Sequence, residues 1–362
     1  MSGVTPGTHT ARTVVIGGSG YIAGELLRLL AVHPFLRDLA VISESKPGTR
    51  VEEAFPHLEG AYPDLKFLGT DSLPRLFAEN ETVAVFSAAP HGASAPLVDS
   101  LLESAEHAGA RVRLVDLSAD FRFPDAEGYE KVYGHPHSAP GRLAEFVSAV
   151  PEHLAEAPLG RVAHPGCFTT SVLLASVPLL SLGLIEPRFT VVAVTGSTGA
   201  GRTPTATTHH PERRSNLFAY NPLGHRHEPE MRLHAGKAAG QPVEIAFVPQ
   251  SGPYARGIYA TIHTRLARPA DLDEVVAGVS KFYAGSPFVK VAPAGGKPPR
   301  LQDVAGTNRA QLSFALRGQD LVAFSTIDNL VKGAAGGAVQ WMNRLLDLPE
   351  VAGLAQPGLG WI

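Results

Sequence analysis

Cys167 is the only cysteine in this 362-residue chain, and it lies in the run Pro165-Gly166-Cys167-Phe168-Thr169-Thr170. That run reads as the opening turn of a helix. A thiol there feels the field of the unpaired backbone N–H groups, which lowers its pKa and raises the thiolate fraction. Thr169 and Thr170 add hydroxyl donors. The competing reading is a small core residue, the commonest fate of a free cysteine, although its glycine and threonine neighbours make poor core lining. A thiolate nucleophile also needs an acid or base. Candidates lie in His209-His210-Pro211-Glu212-Arg213-Arg214 and in His225-Arg226-His227-Glu228. Clustered histidines raise the possibility of a metal, but one cysteine and no HExxH spacing disfavour zinc. The 209–214 run also reads as an exposed basic loop.

A second chemical signal lies near the start of the chain, in Gly17-x-x-Gly20-x-x-Ala23-Gly24. Between a strand and a helix, such glycines let the backbone approach a pyrophosphate, which the helix N-terminus then holds. A purely structural glycine turn is the alternative. The end of the following strand selects the cofactor and reads Ser43-Glu44-Ser45-Lys46, with Arg50 beyond. A carboxylate there grips the ribose 2′-hydroxyl of NAD, whereas hydroxyls and cations suit the 2′-phosphate of NADP. We read it as NADP, with Ser43, Ser45 and Lys46 around the phosphate and Glu44 turned to solvent.

These groups need elements to position them. Strands are expected at 13–17, 39–42, 83–86 and 112–117, with helices at 21–32 and 96–108 between them, a βαβ pattern that builds a parallel sheet. From Cys167 to Leu182 the pattern is helical, with Pro178 expected to kink or end it. Strands follow at 190–194, 243–247, 257–264, 311–316 and 321–326, with a helix at 271–283, which suits a mixed or antiparallel sheet. A last helix is expected over 329–346, and 292–300 reads as an exposed loop. The fold class is therefore α/β: a Rossmann-type parallel-sheet domain plus an α+β catalytic domain.

Composition narrows the function. Hydrophobic residues make up 44% and charged residues 18%, which suits a folded core and not disorder. The net charge of -3 gives no basic field for nucleic acid. No apolar run is long enough to span a membrane, and the polar N-terminus lacks the form of a secretory signal. The lone cysteine suits a reducing, cytoplasmic setting.

The motifs taken together resemble the N-acetyl-gamma-glutamyl-phosphate reductase family along almost the whole chain. They include Gly18-Ser-Gly-Tyr21, Ala89-Pro-His-Gly92, Asp116-Leu-Ser-Ala-Asp-Phe-Arg122, Pro165-Gly-Cys167, Thr198-Gly-Ala-Gly-Arg202, Ala219-Tyr-Asn221, His225-Arg-His227, Arg256-Gly257 and Asp328-Asn-Leu-Val-Lys-Gly-Ala-Ala335. The segments 209–213 and 224–227 look more like the lysine-biosynthetic branch. Its members reduce a 2-aminoadipate 6-phosphate borne on a small acidic amino-group carrier protein. One departure is Ser43-Glu44-Ser45, where the family often carries Ser-Arg-Ser; it weakens the NADP reading.

The resemblance implies reduction of an acyl phosphate to a semialdehyde by NADPH through a thioester on Cys167. His227 is then the first choice for acid/base and His225 the reserve. Gly17, Ser19, Gly20, Tyr21 and Ile22 would hold the pyrophosphate, Ser43 and Ser45 the adenosine end, and Asn329 the nicotinamide carboxamide. Arg202 is a phosphate clamp, and Arg122, Arg213 and Arg214 are substrate-binding. Arg213 and Arg214, with Arg188 or Arg232, would form a cationic rim for the carrier protein. The chemistry places Cys167 where two domains meet, so the first domain is expected to be discontinuous. We set it at 12–160 and 327–362, with 161–326 as the catalytic and dimerisation domain and 1–11 as a flexible tail. A homodimer or homotetramer is implied. The alternatives are the arginine-pathway enzyme acting on N-acetyl-glutamyl 5-phosphate, aspartate-semialdehyde dehydrogenase, a cysteine hydrolase, and a non-catalytic NADP-binding redox sensor.

Overall fold

A computed structural model describes residues 10–158 and 160–360. The expected tail falls almost wholly outside the described residues. The chain divides into two compact units. The first runs to Pro151 and takes in Ala155–His164 and Ala335–Ala355; the second holds Glu152–Leu154, Pro165–Ala334 and the stretch from Gln356.

The first unit contains β1 (Ala11–Ile16), α1 (Tyr21–Ala31), β2 (Leu36–Ile42), α2 (Val51–Ala54), β3 (Phe67–Leu68), β4 (Thr82–Ser87), α3 (Ser94–Ala108), β5 (Arg111–Asp116), α4 (Ala126–Tyr133), β6 (Val147–Ser148) and β7 (Arg161–Ala163). The sheet order is β3-β2-β1-β4-β5-β7-β6, and every pairing is parallel. Val14, Val15 and Ile16 of β1 and Val83, Val85 and Phe86 of β4 are fully buried. Such unbroken apolar runs are what a sheet covered on both faces requires.

The second unit contains α5 (Cys167–Ser181), β8 (Ile185–Thr195), α6 (His210–Arg213), β9 (Phe218–Ala219), α7 (His227–Ala239), β10 (Glu244–Ser251), β11 (Ile258–Leu266), α8 (Leu272–Phe282), β12 (Val289–Val291), β13 (Ala310–Arg317) and β14 (Asp320–Ile327). Its sheet order is β12-β13-β14-β11-β8-β10-β9. Pairing is mixed: β8 is parallel to β10 and antiparallel to β11. The strands alternate: Phe189, Val191 and Ala193 are buried, while Val192 is exposed between them. Helices α5, α7 and α8 pack against this sheet.

Two expectations change. Helix α5 runs through Pro178 to Ser181 instead of ending there. Proline removes the N–H that would reach the carbonyl of Leu174. The Tyr283 hydroxyl donates to that carbonyl at 2.7 Å, so the orphaned acceptor is satisfied from outside the helix. Behind it, His153 Nε2 meets the same hydroxyl at 2.9 Å. The expected last helix is split: Val331–Ala335 is a π-helical turn, and α9 (Gly336–Leu345) follows. The Gly333 N–H reaches the Asp328 carbonyl at 3.0 Å, five residues back. The return to the first unit therefore comes at Ala335, not residue 327, because 328–334 bond within the second unit.

Tyr283→Phe should strand the Leu174 carbonyl and one nitrogen of His153. Urea unfolding should then show a loss of about 1–3 kcal/mol, the usual penalty for buried polar groups left unpaired; an unchanged midpoint would refute this role for the hydroxyl.

Candidate active site

Cys167 is the first residue of α5, after an N-cap Gly166 whose backbone is extended. It is partly exposed, whereas every residue from Phe168 to Leu180 is buried. The helix thus lies in apolar packing along its length and opens at the thiol. Glu230, on α7 and fully buried, braces that opening. One of its carboxylate oxygens accepts the Gly166 N–H at 3.0 Å. The other accepts the Thr169 hydroxyl at 3.0 Å. The Thr170 hydroxyl reaches the Pro165 carbonyl. Both threonines therefore hold the turn instead of offering hydroxyls to a substrate.

The two histidines differ in role. A Cβ on Gly166 would lie 2.4 Å from His227 Nε2, so the imidazole occupies the space that only glycine leaves beside the turn that carries Cys167. His225 stands behind it. Its Nδ1 accepts the His227 backbone N–H at 3.1 Å. Its ring meets Phe168, Tyr220, Phe247 and His227 edge-on, with centroids 4.8–5.6 Å apart. Burial, aided by the Arg226 charge, pushes its pKa down to about 4. His225 is a neutral, enclosed support for His227.

The π-helical turn closes the site from below. A Cβ on Gly333 would come within 2.7 Å of Cys167 Cβ. Asp328, fully buried, caps the turn by accepting the Leu330 and Val331 N–H groups at 2.9 and 3.1 Å. The Arg256 guanidinium pairs with both Asp328 oxygens at 2.7 and 3.2 Å. Lys332 on the same turn is fully buried against Glu152, 2.5 Å away. Such a pair is strongly destabilising when only one partner is removed. Asn329 uses its carbonyl to accept the Gly257 N–H at 2.6 Å and its amino group to donate to Thr198 at 3.0 Å. The nicotinamide role read for it has the second amide hydrogen to draw on. The sequence reading gave no role to Glu230, Asp328 or Lys332. Glu230 follows His227 at helical spacing, a signal that would have found it.

The first unit carries the dinucleotide motif as expected in placement. Gly17, Ser19 and Gly20 form the turn between β1 and α1, and Tyr21 and Ile22 open the helix. No side chain caps α1, and a Cβ on Gly20 would meet nothing within 4 Å. Backbone donors thus face an open cradle of the kind a pyrophosphate fills. Ser45 lies 3.3 Å from both the Ser19 and Ser43 hydroxyls, with Glu44 exposed beside it. The residues fit an NADP adenosine end. Beneath the strand ends, Asp116 accepts the Ser94 and Ser118 hydroxyls, each at 2.7 Å.

The expected substrate cations separate. Arg122 is buried and donates to the carbonyls of His164 and Leu117, each at 3.0 Å, bonds that brace the first unit. Arg202 and Arg214 are exposed. Arg213 is buried, with a hydrogen bond to the Gly252 carbonyl. Arg188 faces Glu244 and Arg232 pairs with Glu228. Of the cations read as a rim for a carrier protein, Arg213 is enclosed, Arg188 and Arg232 lie beside carboxylates, and Arg214 is exposed. Among the described residues no group of three or more histidines, cysteines or carboxylates could hold a metal, and no helix is long and apolar enough to cross a membrane.

Comparison with known proteins agrees with this layout. Residues 12–158 match the family described as semialdehyde dehydrogenase, NAD binding domain. Residues 167–329 match semialdehyde dehydrogenase, dimerisation domain. An N-acetyl-gamma-glutamyl-phosphate reductase of Desulforudis audaxviator is 40% identical over 350 residues, 95% of this chain and 98% of that protein. One from Alkalilimnicola ehrlichii is 41% identical over 350 residues, with the same shares. Among solved structures, aspartate semialdehyde dehydrogenase II from Vibrio cholerae shares the fold, with a TM-score of 0.68 at 16% identity, covering 94% of this chain and 99% of that one.

The depressed His225 pKa makes a prediction. Unfolded histidine titrates near 6.5, so the neutral folded form contributes stability that is complete above about pH 6.5 and is lost as pH falls toward 4. His225→Asn should lower stability at pH 7 by about 1–3 kcal/mol and make the decline between pH 6.5 and 4 shallower. His153, also near 4, contributes to the slope that remains, together with His33 and His137, whose pKa values burial also lowers. Denaturant midpoints across that range decide the matter, and a slope as steep as the parent's would contradict it.

Proposed function

Because the chain belongs to the N-acetyl-gamma-glutamyl-phosphate reductase family, we propose that it reduces N-acetyl-glutamyl 5-phosphate to the semialdehyde with NADPH, through a thioester on Cys167. The observation that carries this is the placement of Cys167 at the open end of a buried helix, with His227 against the preceding glycine. The names of the curated relatives favour this substrate over the carrier-linked 2-aminoadipate 6-phosphate read from segments 209–213 and 224–227, and the burial of Arg213 weakens the carrier reading further.

The chemistry follows from the chain's own groups. The α5 N-terminus favours the thiolate of Cys167. The sulfur attacks the acyl carbon, the bond from that carbon to the phosphate oxygen breaks, and inorganic phosphate leaves. Arg202, read as the phosphate clamp, would neutralise it. NADPH, when bound, supplies a hydride equivalent for the acyl group. His227 Nε2 holds a proton for the oxyanion and takes it back as the carbon–sulfur bond breaks, which restores the thiolate and frees the aldehyde. Glu230 keeps the turn in register, and His225 orients His227. Gly17, Ser19, Gly20, Tyr21 and Ile22 would hold the cofactor pyrophosphate, with Ser43 and Ser45 at the 2′-phosphate.

The enzyme is proposed to act as a homo-oligomer. The sheet of the second unit turns Val192, Val194, Tyr259 and Phe324 away from its helices, and none of the four is fully buried. A second copy covering that face would suit the family description of this region as a dimerisation domain.

The test is phosphate-dependent reduction of NADP by N-acetylglutamate semialdehyde, free, beside the carrier-linked aminoadipate semialdehyde. We expect turnover of the first. Cys167→Ser should abolish it with NADPH affinity retained, and His227→Asn should lower kcat by about 10²–10⁴-fold. Preference for the carrier-linked aldehyde would replace the substrate, and normal turnover by Cys167→Ser would end the covalent mechanism.

A further inference from the structure

The segment that follows β2 is tied to the glycine turn of the first unit. The Gly18 N–H donates to the Ile42 carbonyl at 2.9 Å. The Ser45 hydroxyl lies 3.3 Å from those of Ser19 and Ser43. Three hydroxyls thus run in one chain from the pyrophosphate turn to the adenosine end. The backbone leaves the strand here and bends at Glu44 and Ser45. Glu44 is therefore carried at the rim of the hydroxyl chain. It is exposed, and among the described residues no hydrogen bond or ion pair holds its carboxylate.

The charges that follow do not compensate for it. Arg50 faces Glu52 at 3.1 Å, and Glu52 is fixed in turn by the Gly60 and Tyr62 N–H groups at 2.8 and 3.0 Å. Lys46 is half-buried and has no ion-pair partner among the described residues, but a second carboxylate stands near it. The Ser43 N–H donates to the Leu68 carbonyl at 3.0 Å. On Gly69, the next residue, a Cβ would lie 2.4 Å from Asp71 Oδ1 and 3.9 Å from the Cβ of Pro47. Lys46 therefore has Glu44 two residues before it and Asp71 beside the proline that follows it. Two carboxylates compete with a bound phosphate for that one ammonium.

Neighbouring residues are about 3.8 Å apart along the backbone. A carboxylate one residue from both Ser43 and Ser45 thus stays within about 8–10 Å, a Debye length, of anything their hydroxyls hold, whichever rotamer it adopts. It opposes a phosphate dianion there and accepts a hydrogen bond from a ribose hydroxyl. We propose that Glu44 sets the nucleotide preference: its carboxylate accepts the adenosine ribose 2′-hydroxyl of NADH and repels the 2′-phosphate of NADPH, so the chain binds both dinucleotides with comparable affinity. The inference rests on the dinucleotide reading of the first unit given above. With NADPH the serine hydroxyls and Lys46 hold the phosphate against the charge of Glu44. With NADH the same hydroxyls are spectators and Glu44 makes the bond.

The experiment titrates the full-length protein with NADP and with NAD by calorimetry and reads the two Kd values, so no turnover is needed. In the parent they should lie within about 10-fold of each other, the scale of one charge–phosphate repulsion near the surface. Glu44→Gln should tighten NADP and weaken NAD, widening the ratio by about 10-fold, the worth of one hydrogen bond to a charged group. Glu44→Arg should widen it by about 10²-fold, and that gain should shrink at high salt because the site is exposed. Glu44 is exposed and unpaired, so neither replacement removes a contact on which folding depends. A parent Kd gap wider than about 10-fold overturns the proposal without any variant, and so does a ratio left unchanged by Glu44→Gln. If the parent binds neither nucleotide, the dinucleotide reading beneath fails instead, which keeps the two failures apart.

Discussion

The placement of α5 constrains the rest of the site. A helix buried on every side from Phe168 to Leu180 leaves only its ends accessible, and the chain puts its single cysteine at the first of them. Burying such a helix is favourable through apolar area, but it leaves the first-turn N–H groups needing partners. Glu230 takes the Gly166 N–H and ties Thr169 to the same carboxylate. A negative charge at the start of a helix is stabilising. That carboxylate is supplied by a neighbouring helix, so α7 must dock for α5 to be held in register. The same helix carries His227, and the docking that satisfies the backbone also delivers the imidazole to the thiol's turn.

The floor of the site solves a different problem. Gly333 must lie against Cys167, and an uninterrupted α-helix over 329–346 would need a different register. The π-helical turn, with its bond from Gly333 to the carbonyl five residues back, inserts the needed offset; such turns cluster at functional positions. It survives because it is pinned at several points. Asp328 caps it and pairs with Arg256, and Lys332 is drawn into the interior by Glu152. Each ion pair alone is poor evidence of stability. Together they fix where the backbone runs, which local propensity does not.

Where the physics is local, the fold is legible residue by residue. The β-branched runs of β1, β4 and β5 and the glycine turn before α1 announce a parallel sheet and a dinucleotide cradle through periodicity and backbone freedom. Helix α7 carries no such local signal. Its buried positions, His227, Glu228, Glu230, Met231, His234 and Ala235, are largely polar types, so no hydrophobic stripe appears. Pro178 misled for a related reason: local rules say that a helix should break, and a tyrosine more than a hundred residues later removes the penalty.

The candidate thiol, the glycine turn, the two-sheet architecture and the class of chemistry were legible in the sequence, because each rests on residue types close together along the chain. Folding is what enclosed His225 among aromatic rings, set His227 beside Gly166, gave Arg122 two backbone carbonyls for partners and enclosed Arg213. Those outcomes depend on burial and on partners distant in sequence. A side chain's charge, freedom and reach are set by what packs around it, and that is known only after the chain has folded.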